Sequence, residues 1–225
     1  MGTQPFYSTS EMRILVLLVS LLAGVPSGAA ALTWQTHEIH LQAALGQDEV
    51  EGVFRFRNTG DTPVRILSVS PSCSCVAVQY GKEMVAPGES GEIRAAYKFN
   101  GSVGHEVKTI AVVTNDQVGH ATILTLTVDI PEPLVVNPRF LFWEMGKDPA
   151  EKSVEIVATY PAQTTVGALQ CSNTLFAARL QPEAAGRYRL WVKPVDLTQP
   201  STGIIGLNVV IAGHAKVYQI FVAIK

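Results

Sequence analysis

The sequence predicts an all-β protein: two tandem immunoglobulin-like β-sandwich domains behind a cleaved signal peptide. Three observations carry this expectation. From Leu32 onward no stretch sustains an apolar period of 3.6 residues, and short alternating segments separated by Gly, Pro, Asn and Asp take its place. About seven such segments fall within roughly the first hundred residues after that point, the density of a two-sheet immunoglobulin-type sandwich. The closing segment His120–Ile130 is echoed by His214–Ile224, with His, Ala, Val and Ile at matching positions and the same apolar face. The plan is therefore expected twice.

Each element has its own warrant. Residues Met1–Ala31 hold Arg13, the apolar run Ile14–Ala23, a Pro26-Ser27-Gly28 break and Ala29-Ala30-Ala31, which is the layout of a secretory signal peptide cleaved after Ala31. The apolar run is shorter than the roughly 20 residues of a membrane span. Met12 stands directly before Arg13 and is an alternative start.

Leu32–Leu41 reads as an opening strand anchored by Trp34. In Val50–Arg57, Gly52, Phe54 and Phe56 share one face while Glu51, Arg55 and Arg57 share the other. Asn58–Pro63 has turn chemistry, with Gly60 available for positive φ and Pro63 restarting an extended segment. Val64–Val69, Cys75–Tyr80, the strand bearing Ile93, Ala95 and Tyr97, Val107–Thr114 and Thr122–Ile130 complete a first domain at 32–130.

Pro131-Glu132-Pro133 opens a stiff linker at 131–138. The second domain, 139–225, follows with Arg139–Glu144, Ser153–Thr159, Val166–Cys171, Phe176–Leu180, Tyr188–Val192, Gly203–Ala212 and Ala215–Ile224. Its Ile110–Val113 counterpart is expected at Gly206–Val209. Trp34, Trp143 and Trp191 read as core anchors.

A hydrophobic content of 47% is enough for real cores, while charged content of 16% and a net charge of −2 leave no basic stripe for phosphates. Nucleic acid is therefore not an expected partner. An exported chain instead points to a protein partner in the periplasm or outside the cell, engaged through exposed strand edges such as the C-terminal strand.

Several motifs of the first domain appear in order: Asn58-Thr59-Gly60-Asp61-Thr62-Pro63, Ser72-Cys73-Ser74-Cys75-Val76, Pro87-Gly88-Glu89 and Lys108–Asn115. Over Glu49–Ile130 this set resembles a bacterial exported family of unknown function that carries an S-C-G-C-T box. That family is similar in turn to ASPM/Hydin-type immunoglobulin-like domains and to major-sperm-protein and pilus-chaperone sandwiches. The resemblance implies a β-sandwich with a binding or scaffolding role and no enzymatic activity. Ser74 replaces the family's Gly and Val76 its Thr, so strain is expected at Ser74 if the box needs glycine's freedom.

Cys73, Cys75 and Cys171 are the candidate site residues. In an oxidising compartment, three cysteines leave at least one unpaired or bound elsewhere. Residues i and i+2 of a strand point the same way, so Cys73 and Cys75 are candidate ligands for Cu(I), with Met84, Met145 or a histidine, His105 foremost, as a third soft ligand. Two thiolates alone do not complete a zinc site. A Cys73–Cys75 disulfide would close a small, reducible ring suited to thiol–disulfide exchange, although no Lys, Arg or His adjoins the pair to lower a thiol pKa. A bond from either to Cys171 would staple the domains, and a purely structural corner is the remaining reading.

His37 and His40 fall on opposite faces of a strand and read as surface residues; His105, His120 and His214 read as solvated. Asn100-Gly101-Ser102 matches a glycosylation sequon but reads as a turn. No nucleophile elbow, phosphate loop, dinucleotide fingerprint or paired-carboxylate signature is present.

Overall fold

The computed structural model describes residues 1–2, 32–116, 119–147 and 149–225, so the expected signal peptide lies outside the described residues except for its first two. The described chain is built from β-strands, with one 3₁₀ turn at Pro161–Gln163.

The first half holds β1 (Leu32–Trp34), β2 (Glu38–Gln42), β3 (Glu49–Asn58), β4 (Val64–Pro71), β5 (Val76–Tyr80), β6 (Met84–Val85), β7 (Ser90–Lys98), β8 (Gly104–Thr114) and β9 (Ala121–Ile130). They form two sheets, β1-β3-β7-β5 and β2-β9-β8-β4-β6. In immunoglobulin lettering these are ABED and A′GFC, with the short β6, which follows D in the chain, added beside C, and with the A′ strand β2 parallel to the G strand β9. The expected single opening strand is split because the Thr36 hydroxyl donates to the Glu38 carbonyl (2.7 Å) and accepts the Glu38 N–H (3.1 Å). That local turn passes the chain from one sheet to the other.

Period-two alternation builds the core. Phe54 and Phe56 of β3 and Ile93, Ala95 and Tyr97 of β7 face Ile110 and Val112 of β8 and Leu124, Leu126 and Val128 of β9, all buried. Burying each of the larger side chains stabilises the fold by roughly 1.5–3 kcal/mol.

The second half repeats the topology with β10 (Leu134–Asn137), β11 (Phe140–Trp143), β12 (Lys152–Ala158), β13 (Thr164–Cys171), β14 (Phe176–Ala184), β15 (Arg187–Pro194), β16 (Ser201–Ile211) and β17 (His214–Ile224). Its sheets are β10-β12-β15-β14 and β11-β17-β16-β13, again ABED and A′GFC, with β11 parallel to β17. A separate core, including Trp143, Ile156, Leu190, Leu207 and Ile220, lies between them. The matching closing segments occupy the same topological place, β9 and β17. Register pairs Ile110 with Leu124 and Leu207 with Tyr218, which makes Leu207 the counterpart of Ile110, one residue beyond the sequence alignment.

Four further differences from the sequence reading have physical causes. Gly60 does not take a positive φ; the turn is organised by buried Asn58, which accepts the Gly60 N–H and donates to the Thr62 and Val85 carbonyls. Residues 134–137, read as linker, form β10 and pair with β12. Trp191 is not a core anchor: it lies between the Arg179 and Arg189 guanidinium groups, 5.1 and 6.0 Å from its ring, on the outer face of its sheet. The C-terminal strand β17 is not an edge, because β11 and β16 flank it.

The halves touch through the β2–β3 connection. Leu45 packs on the second core, Asp48 pairs with Lys216, and Gly46 (φ +85°) lies where a Cβ would come within 2.7 Å of the Ile211 carbonyl.

Candidate functional site

The cysteine pair sits at the corner where the chain leaves β4 in one sheet and enters β5 in the other. Cys73 and Cys75 are joined to each other by a disulfide, with Cα atoms 5.2 Å apart, within the ordinary disulfide range. The corner is also held by backbone. Ser72 N–H donates to the Thr109 carbonyl (2.8 Å), Val76 N–H to Cys73 (3.3 Å) and Lys98 N–H to Cys75 (3.0 Å), while Thr109 N–H donates to Ser72 Oγ (3.1 Å). Cys73 and Cys75 are half-buried against the core, and Ser72 and Ser74 are exposed. Ser74 does not have a positive φ, so the expected strain from replacing glycine is absent.

The second sandwich contains the same corner without sulfur. Ser172 N–H donates to the Ile204 carbonyl (3.0 Å), Phe176 N–H to Asn173 (3.3 Å) and Val195 N–H to Leu175 (2.7 Å). Ile204 N–H donates to Ser172 Oγ (2.9 Å). Position by position, Ser72, Cys73, Ser74, Cys75 and Val76 correspond to Ser172, Asn173, Thr174, Leu175 and Phe176. Where the first corner has a disulfide, the second has an Asx turn: Leu175 N–H donates to Asn173 Oδ1 at 2.9 Å. Only serine is shared between the two pentapeptides, so sequence reading had no strong signal for this equivalence.

The other candidates lie elsewhere. Cys171 ends β13 at the position equivalent to Pro71; its thiol is free and exposed at the residue level, while partial desolvation of the sulfur pushes its pKa up. Met84 pairs with Arg65 at the other end of β4, about 20 Å from Pro71 at strand rise. Met145 follows β11 in the second sandwich and donates its N–H to Lys225. His105 lies four residues along β8 from Thr109, about 13 Å at strand rise.

His105 instead joins a cluster that sequence reading missed. Its Nδ1 lies 2.7 Å from Asp129 Oδ1, and His40 Nε2 lies 2.6 Å from Asp129 Oδ2. The hydrogen bond from His105, then that from His40, holds the Asp129 carboxyl below its usual pKa. The retrievable signal was alternation, which turns His105 and Asp129 outward; what strand patterns do not reveal is that β2 lies beside β9. Among the described residues no group of His, Cys, Asp and Glu is placed to hold a metal ion, and in this trio each histidine turns one ring nitrogen to a different Asp129 oxygen.

The second missed feature is an aromatic face on the outside of the β11-β17-β16-β13 sheet. Phe140 and Phe142 alternate with the core residues Leu141 and Trp143 along β11, so both rings point out, and they are 56% and 48% exposed. Phe140 stacks on Phe221 of β17 (5.2 Å between centroids, 16° between planes). Register continues the row to Ile204 of β16, and Lys225 Nζ lies 4.9 Å over the Phe142 ring. Phe142, Phe221, Ile204 and Lys225 border a groove of about 480 Å³. The neighbouring edge is guarded, because Lys152 Nζ donates to the Phe142 carbonyl, where an added strand would pair.

Residues 32–130 match the model of a family described as a protein of unknown function (DUF1573). The sequence has no match among curated proteins. Among solved structures, it is similar to a protein of unknown function from Porphyromonas gingivalis W83, at 13% identity over 86% of this chain and 99% of that one, with a TM-score of 0.34. It is similar to the YadV chaperone at 12% identity over 84% and 98% of the two chains (TM-score 0.34). It is also similar to a PapD-like domain of human CEP192 at 15% identity over 57% and 99% (TM-score 0.35).

Proposed function

We propose that this is a non-catalytic exported binding or scaffold protein, made as a 1–31 signal peptide and two immunoglobulin-like domains, 32–130 and 139–225. It acts in the periplasm or outside the cell, and its partner is a protein seated on the outer face of the second sandwich. The observation that carries the reading is the exposed row Phe140, Phe221 and Ile204 with its flanking groove. Contiguous exposed apolar patches of this kind mark interaction surfaces. Face docking is favoured over strand addition at β11 because Lys152 occupies the edge carbonyl of Phe142.

Two experiments test it. N-terminal sequencing of the protein recovered from the cell envelope is expected to begin at Leu32; a retained N-terminus, or recovery from the cytoplasm, contradicts export. Immobilised wild-type protein is expected to retain a protein from solubilised envelope that the Phe140→Ser, Phe221→Ser double variant does not. Equal retention by a folded double variant would remove the aromatic face from the account.

A further inference from the structure

We infer that the Cys73–Cys75 pair is a reversible dithiol–disulfide couple that exchanges with a dithiol on a partner protein. This property goes beyond the binding role and does not depend on it. The argument rests on the two equivalent corners. The second corner reproduces the backbone hydrogen bonds of the first, around Ser172, Asn173 and Leu175, with no sulfur–sulfur bond. The disulfide is therefore one of two side-chain closures of the same corner, and not the source of its backbone hydrogen bonds. A bond between residues two apart also restricts the unfolded chain little, because loop-closure entropy is smallest for the shortest loops. The bond can open and re-form inside a folded sandwich.

Access and chemistry agree with this. Cys73 and Cys75 are half-buried between exposed Ser72 and Ser74, at a corner rather than inside a sheet. In the exchange, one thiolate of the partner attacks the sulfur of Cys73 or Cys75. The Cys73–Cys75 bond breaks as the mixed disulfide forms, and the displaced cysteine leaves as a thiolate. The partner's second thiolate then attacks its own sulfur in the mixed disulfide and releases the other cysteine. Two electrons pass to the pair, the partner's dithiol becomes a disulfide, and the partner's two thiol protons are taken up by the two cysteine thiolates. Cys171 stands at the position of Pro71 rather than of either box cysteine and takes no part in this exchange.

The test mixes the oxidised full-length protein with a synthetic peptide carrying two cysteines, followed by alkylation under denaturing conditions and mass spectrometry. The protein is expected to go from one alkylated cysteine to three as an equivalent amount of peptide disulfide appears, with the near-ultraviolet circular dichroism unchanged. A pair that stays oxidised in about 10 mM reduced glutathione, and opens only when denaturant unfolds the protein, overturns the inference. A variant with neither closure, Cys73→Ala with Cys75→Ala, checks the structural premise separately. It is expected to keep the wild-type spectrum and a cooperative urea transition, and loss of the folded state in this variant would overturn the premise that the corner stands without its disulfide.

Discussion

Replacing Asn58 by alanine should be among the most damaging single changes in the first sandwich. The Asn58 side chain is fully buried at the end of β3. Its Nδ2 donates to the carbonyls of Thr62 (2.8 Å) and Val85 (2.9 Å), and its Oδ1 accepts the Gly60 N–H (3.0 Å). A net contribution of about 1 kcal/mol per hydrogen bond gives about 3 kcal/mol for the three. The Val85 carbonyl belongs to a residue only 1% exposed, so leaving it without a donor adds about 1–2 kcal/mol. Asn58→Ala is thus expected to lose about 3–5 kcal/mol, read as a lower urea midpoint at unchanged slope by circular dichroism. Asn58→Asp should do no better, because it places carboxylate oxygen against two carbonyl oxygens. A loss below about 1 kcal/mol for Asn58→Ala would refute the claim that this side chain, rather than a glycine conformation, organises the turn.

Three further outcomes follow from particular contacts. A Cβ at Gly91 would stand 2.4 Å from Cζ of buried Phe56, so Gly91→Ala should cost about 1–3 kcal/mol in a urea titration. Ala212 has φ +47° in the two-residue connection between Ile211 and His214; Ala212→Asn should gain up to about 1 kcal/mol, since asparagine accepts this left-handed position. Asp129, Glu89, Glu183 and Asp196 all have folded pKa values below their ordinary ones, through His105 and His40, Lys82, Arg189 and Thr198 respectively. A depressed carboxylate stabilises the fold above its unfolded pKa and loses that contribution as pH falls through the folded one. Melting temperature should therefore hold near neutrality and decline below about pH 4, and a flat profile down to about pH 3 would contradict these pairings.

The fold class was legible because alternation is a local property. Phe54 and Phe56, or Leu124, Leu126 and Val128, announce a buried face from their spacing alone. Sheet membership was less legible: Leu32–Leu41 alternates as one strand, and only the Thr36 hydroxyl turn sends its two parts to different sheets. The candidate site was readable in part. Cys-x-Cys identified the corner, but its counterpart hides behind Asn173 and Leu175, because an Asx turn and a disulfide achieve the same closure with unrelated side chains. His40 and Asp129 are 89 residues apart and meet through the parallel β2–β9 pairing, a long-range arrangement that strand periodicity does not encode. Trp191 misled for the opposite reason: its size suggests burial, yet two guanidinium groups provide it with a surface setting.

The most direct test of the binding account is site-specific photo-crosslinking in cells, with the crosslinker at position 142 or 204 on the aromatic face and at position 187 on the opposite sheet as control. The account predicts one discrete crosslinked protein from positions 142 and 204 and none from 187. No adduct from the aromatic face, or the same adducts from all three positions, would contradict it.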